Sequence, residues 1–164
     1  MMELAISRVD QFIVPAVLRD EVLVHLARCM PNEGVGLLGA FAPEETGKGI
    51  TARAALYVPG TNLEQSPTHY TMDPLEVMRA FRRFTEEGLL LGAIVHSHIA
   101  SPATPSPSDL REWNYPEAIM MIASFATQPP VLNAYRISQV SGLPVPQSVE
   151  IQIIQADTFT SGER

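Results

Sequence analysis

Apolar side chains recur every three or four positions in two segments of the chain, which predicts two amphipathic helices. The first is predicted over residues 16–29, where the apolar repeat consists of Val17, Leu18, Val22 and Leu26. The second is predicted to begin at Pro74, behind Asp73 as N-cap, and to end at Gly88. A shorter third helix is predicted at residues 108–113, after a segment rich in proline and serine.

Short apolar runs between these helices are typical of β-strands. The predicted strands cover residues 12–14, 33–41, 51–58, 89–98, 118–124, 131–137 and 149–154. Residues 89–98 form the most hydrophobic run and are predicted to lie at the centre of the sheet. Because strands and helices interleave without a repeat or a long linker, we expect one α/β or α+β domain over residues 1–157, followed by a frayed tail at 158–164.

Composition narrows the possible classes of function. A chain of 164 residues falls within the size of one domain, about 100–200 residues. Its net charge of −7 argues against a nucleic-acid partner. The single Cys29 excludes an internal disulfide, and the apolar run at residues 89–95 is far shorter than the roughly 20 residues that cross a bilayer. We therefore expect a soluble cytoplasmic protein without a membrane partner.

Candidate chemistry is concentrated after the predicted central strand. His96 and His98 are two residues apart, so they point to the same side of a strand and can both bind one cation. Asp109 can add a carboxylate oxygen if the loop between them folds back. Two histidines and one aspartate leave a fourth tetrahedral position open, which is typical of a catalytic zinc site.

Each of these signals has a simpler explanation when it is taken alone. A His-x-His pair at a strand end is often ordinary polar lining. Ser106 and Asp109 also fit a helix-capping pattern, in which Asp109 bonds to the backbone, although it can serve both roles. Glu33 can be a solvated carboxylate at a helix end, and His25 in the first helix is expected to be a packed or surface histidine. The combined spacing is what favours a site.

Together these residues resemble a known family. Glu33 before a glycine-rich strand, then His96-x-His98, then Pro105-Ser106-x-x-Asp109 is similar to the motif of the JAMM (MPN-plus) zinc metalloproteases, small prokaryotic type. The resemblance covers nearly the whole chain and implies a cytidine-deaminase-like α/β/α sandwich with a central mixed β-sheet. Where the family usually has proline after the second histidine, this chain has Ile99, a departure that removes no ligand.

The resemblance also implies roles for individual residues. One Zn²⁺ per chain would be held by His96, His98 and Asp109. Glu33 would act as general base, and Ser106 would hydrogen-bond the oxyanion of the tetrahedral intermediate. The segment before the second helix also resembles small bacterial members, and its candidate substrate contacts are Asn62, His69 and Tyr70.

The implied activity is that of a peptidase or isopeptidase that hydrolyses the bond after the C-terminal Gly-Gly of a ubiquitin-like or sulfur-carrier protein. The adduct would be carrier–cysteine or carrier–lysine, and the Gly-Gly tail would add beside the glycine-rich strand after Glu33. A homodimer is possible, since family members often pair. Two alternatives stay open: a non-catalytic MPN scaffold that binds partners without metal, and a zinc hydrolase of another small amide.

Overall fold

The computed structural model describes residues 5–155, and the predicted tail at 158–164 lies outside them. In chain order the elements are β1 (Gln11–Pro15), α1 (Ala16–Cys29), β2 (Val35–Ala40), β3 (Glu44–Thr46), β4 (Gly49–Pro59), α2 (Pro74–Glu86), β5 (Leu90–His98), α3 (Pro107–Arg111), β6 (Ile119–Ser124), β7 (Val131–Val140) and β8 (Leu143–Ile154). Every predicted helix and strand is present. The sequence pattern missed β3, because its three residues are all exposed and carry no apolar alternation.

The eight strands form one mixed sheet in the order β1-β8-β7-β6-β5-β2-β4-β3. Strand β5 pairs with β2 in antiparallel and with β6 in parallel orientation, which confirms its predicted central position. Strand β1 pairs in parallel with both β8 and β4. The sheet therefore curls until strands far apart in its order meet through β1.

The inner face of the curled sheet packs against α1. Leu18, Val22 and Leu26 of this helix belong to the same buried cluster as Leu38 of β2 and Val95 of β5. The apolar repeat thus predicted the buried face of α1 well. Val17 is the exception, since 64% of its surface is exposed.

The outer face packs against α2, α3 and the segment around them. Phe84 of α2 is buried with Leu37 and Ile94, whose side chains point away from the inner cluster because neighbours in a strand alternate sides. Met120 and Ile122 of β6 pack below α3. Helices on both faces make this a mixed α/β fold with a central sheet.

Strand β8 is longer than the strand predicted at residues 149–154, because the two prolines in its first half hid the strand pattern in the sequence. Up to Val149 it pairs with β7, and beyond that residue it pairs with β1. Pro144 and Pro146 therefore lie where β8 pairs with β7 only. Their missing N–H groups interrupt no hydrogen bonds to β1, because β1 pairs with a later part of the strand. Among residues 5–155, no helix combines the length and the apolar content that crossing a bilayer requires.

Candidate metal centre and active site

The end of β5 carries the two histidines of the candidate site. His96 and His98 follow Ile94 at alternate positions, so their rings lie on the outer face of the sheet. His96 is fully buried, and His98 is 4% exposed. Since β6 on one side and β2 on the other hold this strand, both rings project from a rigid part of the sheet.

Helix α3 brings Asp109 back to these rings through its own N-terminal cap. The Ser106 hydroxyl accepts a hydrogen bond from the Asp109 N–H at 3.1 Å, and the Ser106 N–H donates to Asp109 Oδ2 at 2.9 Å. This reciprocal capping box orients the carboxylate. As a result Asp109 Oδ2 lies 3.0 Å from His98 Nε2 and 3.2 Å from His96 Nε2. Capping and metal binding are thus compatible roles for the same side chain.

The three candidate ligand atoms form a small triangle that suits a metal ion. The third side, between the Nε2 atoms of His96 and His98, measures 3.2 Å. Ligands bound tetrahedrally to zinc at about 2.0–2.1 Å lie about 3.3 Å from one another, close to all three sides. Imidazole and carboxylate are both common zinc ligands, so the chemistry of the donors fits as well as their spacing.

The hydrogen bonds of His98 select the nitrogen that can bind metal. His98 Nδ1 lies 2.7 Å from the carbonyl oxygen of Pro102, which can only accept, so Nδ1 carries the proton and donates. Nε2 is the nitrogen that faces Asp109 and His96, so it is the one available to bind a metal. The loop that begins at Ile99 therefore supplies the outer partner that metal-binding histidines usually have.

His96 is held in a different way. Its buried Nδ1 has no hydrogen-bond partner among the residues that the structure describes. Instead the ring of Tyr70 stacks on it, with ring centres 4.7 Å apart and planes inclined by 27°. Aromatic stacking thus fixes the ring where a hydrogen bond fixes that of His98.

Glu33 lies just before β2, on the same outer face as Val35. It is 4% exposed, and burial raises the pKa of its carboxyl to about 7, with the opposing charge of His98 second in importance. Burial likewise lowers the pKa of His96. For Asp109 burial acts against ionisation, but the hydrogen bonds of His96 and His98 outweigh it and hold the pKa of that carboxyl well below its usual range. The site thus pairs an ionised candidate ligand with a carboxyl that can exchange a proton near neutrality.

The three candidate substrate contacts are placed differently from one another. Tyr70 lines the cavity beside the site and stacks on His96. His69 is exposed, bonds through its ring to the Thr68 hydroxyl and is not part of the cavity lining. The side chain of Asn62 bonds to the backbone of its own loop and to Glu33. Tyr70 alone of the three faces the cavity.

A cavity of about 570 Å³ opens next to Asp109, between α2 and the segment that follows α3. Val35 and Leu37 of β2 lie at its base. Its other apolar walls are formed by Met72, Val77, Met78, Trp113 and Tyr115. Sequence reasoning missed this cavity, since such residues look like core positions and Trp113 and Tyr115 were expected only to pack the short helix.

Strand β2 does not offer an edge to a substrate tail, contrary to expectation. It pairs with β4 on one side and with β5 on the other. Gly34, just before the strand, and Gly36 within it face inward: a side chain at Gly34 would meet Leu26 and Cys29, and one at Gly36 would collide with the Tyr57 ring. These glycines make room for close packing under the sheet.

Comparison with known proteins identifies relatives across most of the chain. The family described as prokaryotic homologues of the JAB domain matches residues 15–138. A Thermus thermophilus protein named "Probable TtuB-protein conjugate cleaving protease" is 40% identical over 109 residues, which is 65% of this chain and 67% of that protein. The CysO-cysteine peptidase of Mycobacterium tuberculosis is 31% identical over 128 residues, covering 76% and 82% of the two chains.

Solved structures agree with the sequence relatives. The solution structure of a Desulfitobacterium hafniense protein superimposes with a TM-score of 0.75 at 31% identity, covering 88% of this chain and 93% of that one. The family match over residues 15–138 includes the strand that bears His96 and His98. These matches confirm the family resemblance that the motif residues indicated.

Proposed function

We propose, on the premise that this chain belongs to the family of prokaryotic homologues of the JAB domain, that it is a zinc-dependent peptidase or isopeptidase. Its substrate is a ubiquitin-like or sulfur-carrier protein joined through a C-terminal Gly-Gly to cysteine or to lysine. One relative is named a probable TtuB-protein conjugate cleaving protease and another a CysO-cysteine peptidase, and these names support this substrate class. The observation that carries the proposal is the triangle of His96, His98 and Asp109 ligand atoms, on the same face as the buried Glu33.

In the proposed mechanism His96, His98 and Asp109 hold one zinc ion. A bound zinc ion would polarise the scissile carbonyl and lower the pKa of water to about 7. Glu33, with a pKa of about 7, takes a proton from the attacking water and passes it to the leaving amine nitrogen. The Ser106 hydroxyl donates its proton in a hydrogen bond to the developing oxyanion, while its oxygen still accepts the Asp109 N–H.

The cavity beside Asp109 is the proposed site for the carrier tail. Asp109 belongs both to the cavity wall and to the ligand triangle, so a tail lying there ends at the metal centre. The apolar walls of the cavity suit an extended peptide chain. Glu64 and Glu112 add negative charge to its lining. Two glycines at the end of the tail let its backbone come close to the centre without a side-chain clash.

The proposal extends to the rest of the protein. We propose one cytidine-deaminase-like catalytic domain over residues 1–157, working in the cytoplasm without nucleic-acid or membrane partners. Pairing into a homodimer stays a prediction. The single Cys29 and the net charge of −7 support this context.

The decisive experiment compares wild type with Glu33→Gln on a carrier fusion that contains the Gly-Gly junction. We expect kcat to fall by about 100- to 10,000-fold, because the amide cannot accept the proton, with zinc still bound at one ion per chain. A variant that cleaves as fast as wild type would contradict the assigned mechanism.

Two further results would favour the alternatives. Absence of specific zinc in the wild-type protein, measured by equilibrium dialysis, would favour the non-catalytic scaffold. Faster hydrolysis of unrelated small amides than of the carrier fusion would favour a zinc hydrolase of small amides.

A further inference from the structure

The side chain of Asn62 uses its whole hydrogen-bonding capacity inside the protein. Its Nδ2 donates to the carbonyl oxygens of Glu33 at 3.0 Å and of His69 at 2.9 Å. Its Oδ1 accepts from the N–H groups of Glu64 at 3.1 Å and of Thr71 at 3.0 Å. Two donors and two acceptors are all that an asparagine amide has, so no capacity is left for a substrate.

These bonds shape the segment between β4 and α2, residues 61–72, which we term the Asn62 loop. Asn62 ties the start of this loop to its end at Thr71, where Asn62 and Met72 also form an isolated backbone bridge. Thr61 anchors the loop to α2, because its N–H and hydroxyl both donate to the Glu76 carboxylate, at 2.7 and 2.8 Å. The loop is therefore ordered by specific bonds.

The Asn62 loop touches the candidate site at two places. The Ser66 carbonyl accepts the Glu33 N–H at 2.8 Å, so the backbone of Glu33 is bonded to the loop on both sides of its Cα. Tyr70 of the same loop stacks on the fully buried ring of His96. One loop thus contacts both the proposed general base and one proposed metal ligand.

Backbone contacts matter here because Glu33 lacks side-chain support. Within residues 5–155, its buried Oε2 has no hydrogen-bond partner, and the same holds for His96 Nδ1. A buried carboxyl without such bonds is aimed by the position of its own backbone. The Glu33 backbone is set by Asn62 and Ser66, just as the His96 ring is set by the stacked Tyr70.

We propose that Asn62 is a positioning residue for the proposed hydrolysis. It holds the Glu33 carbonyl and the loop that carries Tyr70 over His96, and it contacts neither substrate nor metal. This inference rests on the proposed function, and it replaces the expectation that Asn62 binds substrate.

The test uses zinc-loaded Asn62→Asp protein, with Ser66→Ala as matched control. Aspartate keeps the acceptors for Glu64 and Thr71 but removes both donors and brings an oxygen against the Glu33 carbonyl. Alanine at position 66 removes the hydroxyl that accepts the N–H groups of Thr68 and His69, and it leaves the backbone carbonyl that binds Glu33. Both variants disturb the same loop, but only the first cuts a bond to Glu33.

On the carrier fusion we expect Asn62→Asp to lower kcat by about 10- to 100-fold, as displacement of a reacting group by an ångström does. Its KM should change by less than about threefold, and Ser66→Ala should keep kcat within about twofold of wild type even where its Tm is lower. Equal kcat losses in the two variants, or an unchanged kcat in Asn62→Asp, would overturn the proposal.

A second readout does not depend on activity. The Tyr70 ring shifts the ring-proton NMR signals of His96, and these signals should move in Asn62→Asp while staying in place in Ser66→Ala. Unmoved signals in Asn62→Asp would overturn the proposal even in an active enzyme. If wild-type protein fails to cleave the fusion, the proposed function fails, and the His96 signals still decide whether Asn62 positions this ring.

Discussion

Two clusters that contain histidine lie on opposite faces of the same sheet, and of the two the outer one has the donors that a metal needs. On the outer face His96 and His98 converge on an ionised carboxylate. On the inner face His25 Nδ1 lies 2.6 Å from the Tyr57 hydroxyl, and its Nε2 lies 3.7 Å from Cys29 Sγ. His25 is half-buried beside these partners, so enclosing a histidine in the fold does not by itself produce a ligand site.

The charge of the partners explains the difference. Burial raises the pKa of the Tyr57 hydroxyl above its ordinary value of 10.0, and it raises that of the Cys29 thiol, so both remain protonated near neutrality. A protonated thiol and phenol are poor metal ligands. On the outer face, the hydrogen bonds that Asp109 accepts from two imidazoles keep its carboxyl ionised. The inner cluster is therefore packing, and the outer cluster can do chemistry.

The largest expected difference between the clusters is in metal binding. We expect His98→Ala to lose specific zinc and to fall below about a thousandth of wild-type activity, because it removes one of the three proposed ligands. His25→Ala should keep one zinc per chain and lose stability instead, since it vacates a half-buried site on α1. Equilibrium dialysis with tag-free protein and a urea unfolding curve measure the two effects. Loss of zinc in the His25 variant would remove the contrast between the clusters.

The second prediction separates capping from catalysis on the outer face. Ser106→Ala should reduce kcat by about 100-fold through the lost oxyanion donor. It should also cost about 1 kcal/mol of unfolding free energy through the lost cap of α3. The matched control is Asp73→Ala, which removes the N-cap bond to Leu75 in α2 and leaves the outer cluster intact.

Steady-state kinetics on the carrier fusion and urea unfolding give both quantities for each variant. We expect a similar stability loss in the two proteins, with a large kcat effect in the Ser106 variant only. Equal kcat in the two would mean that Ser106 caps α3 and does nothing more.

Two features that build the candidate ligand triangle were predictable from the sequence because their causes are local. Alternation along a strand places His96 and His98 on one side, and the Ser-x-x-Asp pattern orients Asp109 through two bonds within four residues. Neither depends on the rest of the fold. The helix bounds were predictable for the same reason, as shown by Asp73 and Gly88 at the ends of α2.

Features that depend on distant parts of the chain were not predictable. The pairing of β1 with both β4 and β8 closes the sheet through contacts that no local pattern encodes. The proposed role of Asn62 depends on a carbonyl 29 residues earlier in the chain. The glycines of β2 were noted, but the partner that Gly36 admits is Tyr57 under the sheet, which the sequence alone does not place.

The third prediction concerns the inner face. Gly36→Ala should destabilise the protein by about 1–3 kcal/mol, because the added methyl group collides with the Tyr57 ring in a well-packed interior. Gly47→Ala is the control, since a side chain there meets no atom within 4 Å. Zinc content should stay at one ion per chain in both. A Gly36 variant as stable as the Gly47 variant would show that the inner face yields to added volume more readily than its burial indicates.

The smallest expected effect is the pH dependence of the inner cluster. Burial lowers the pKa of His25 below its ordinary value of 6.5, against the opposing effects of the Gly60 backbone and the Glu76 charge. Above 6.5 the ring is neutral in folded and unfolded chains alike. As the pH falls below that value, the unfolded chain binds a proton more readily than the folded one, so the unfolding free energy decreases.

His25→Gln removes this titration and leaves the outer cluster as it is, so the difference between the two pH profiles isolates His25. Urea midpoints measured on zinc-loaded proteins above and below pH 6.5 should show wild type losing more stability on acidification than the variant. Parallel profiles would mean that the ring accepts a proton as easily in the fold as in water. In that case burial would not hold the ring neutral, and the inner cluster would resemble the outer one more than its partners suggest.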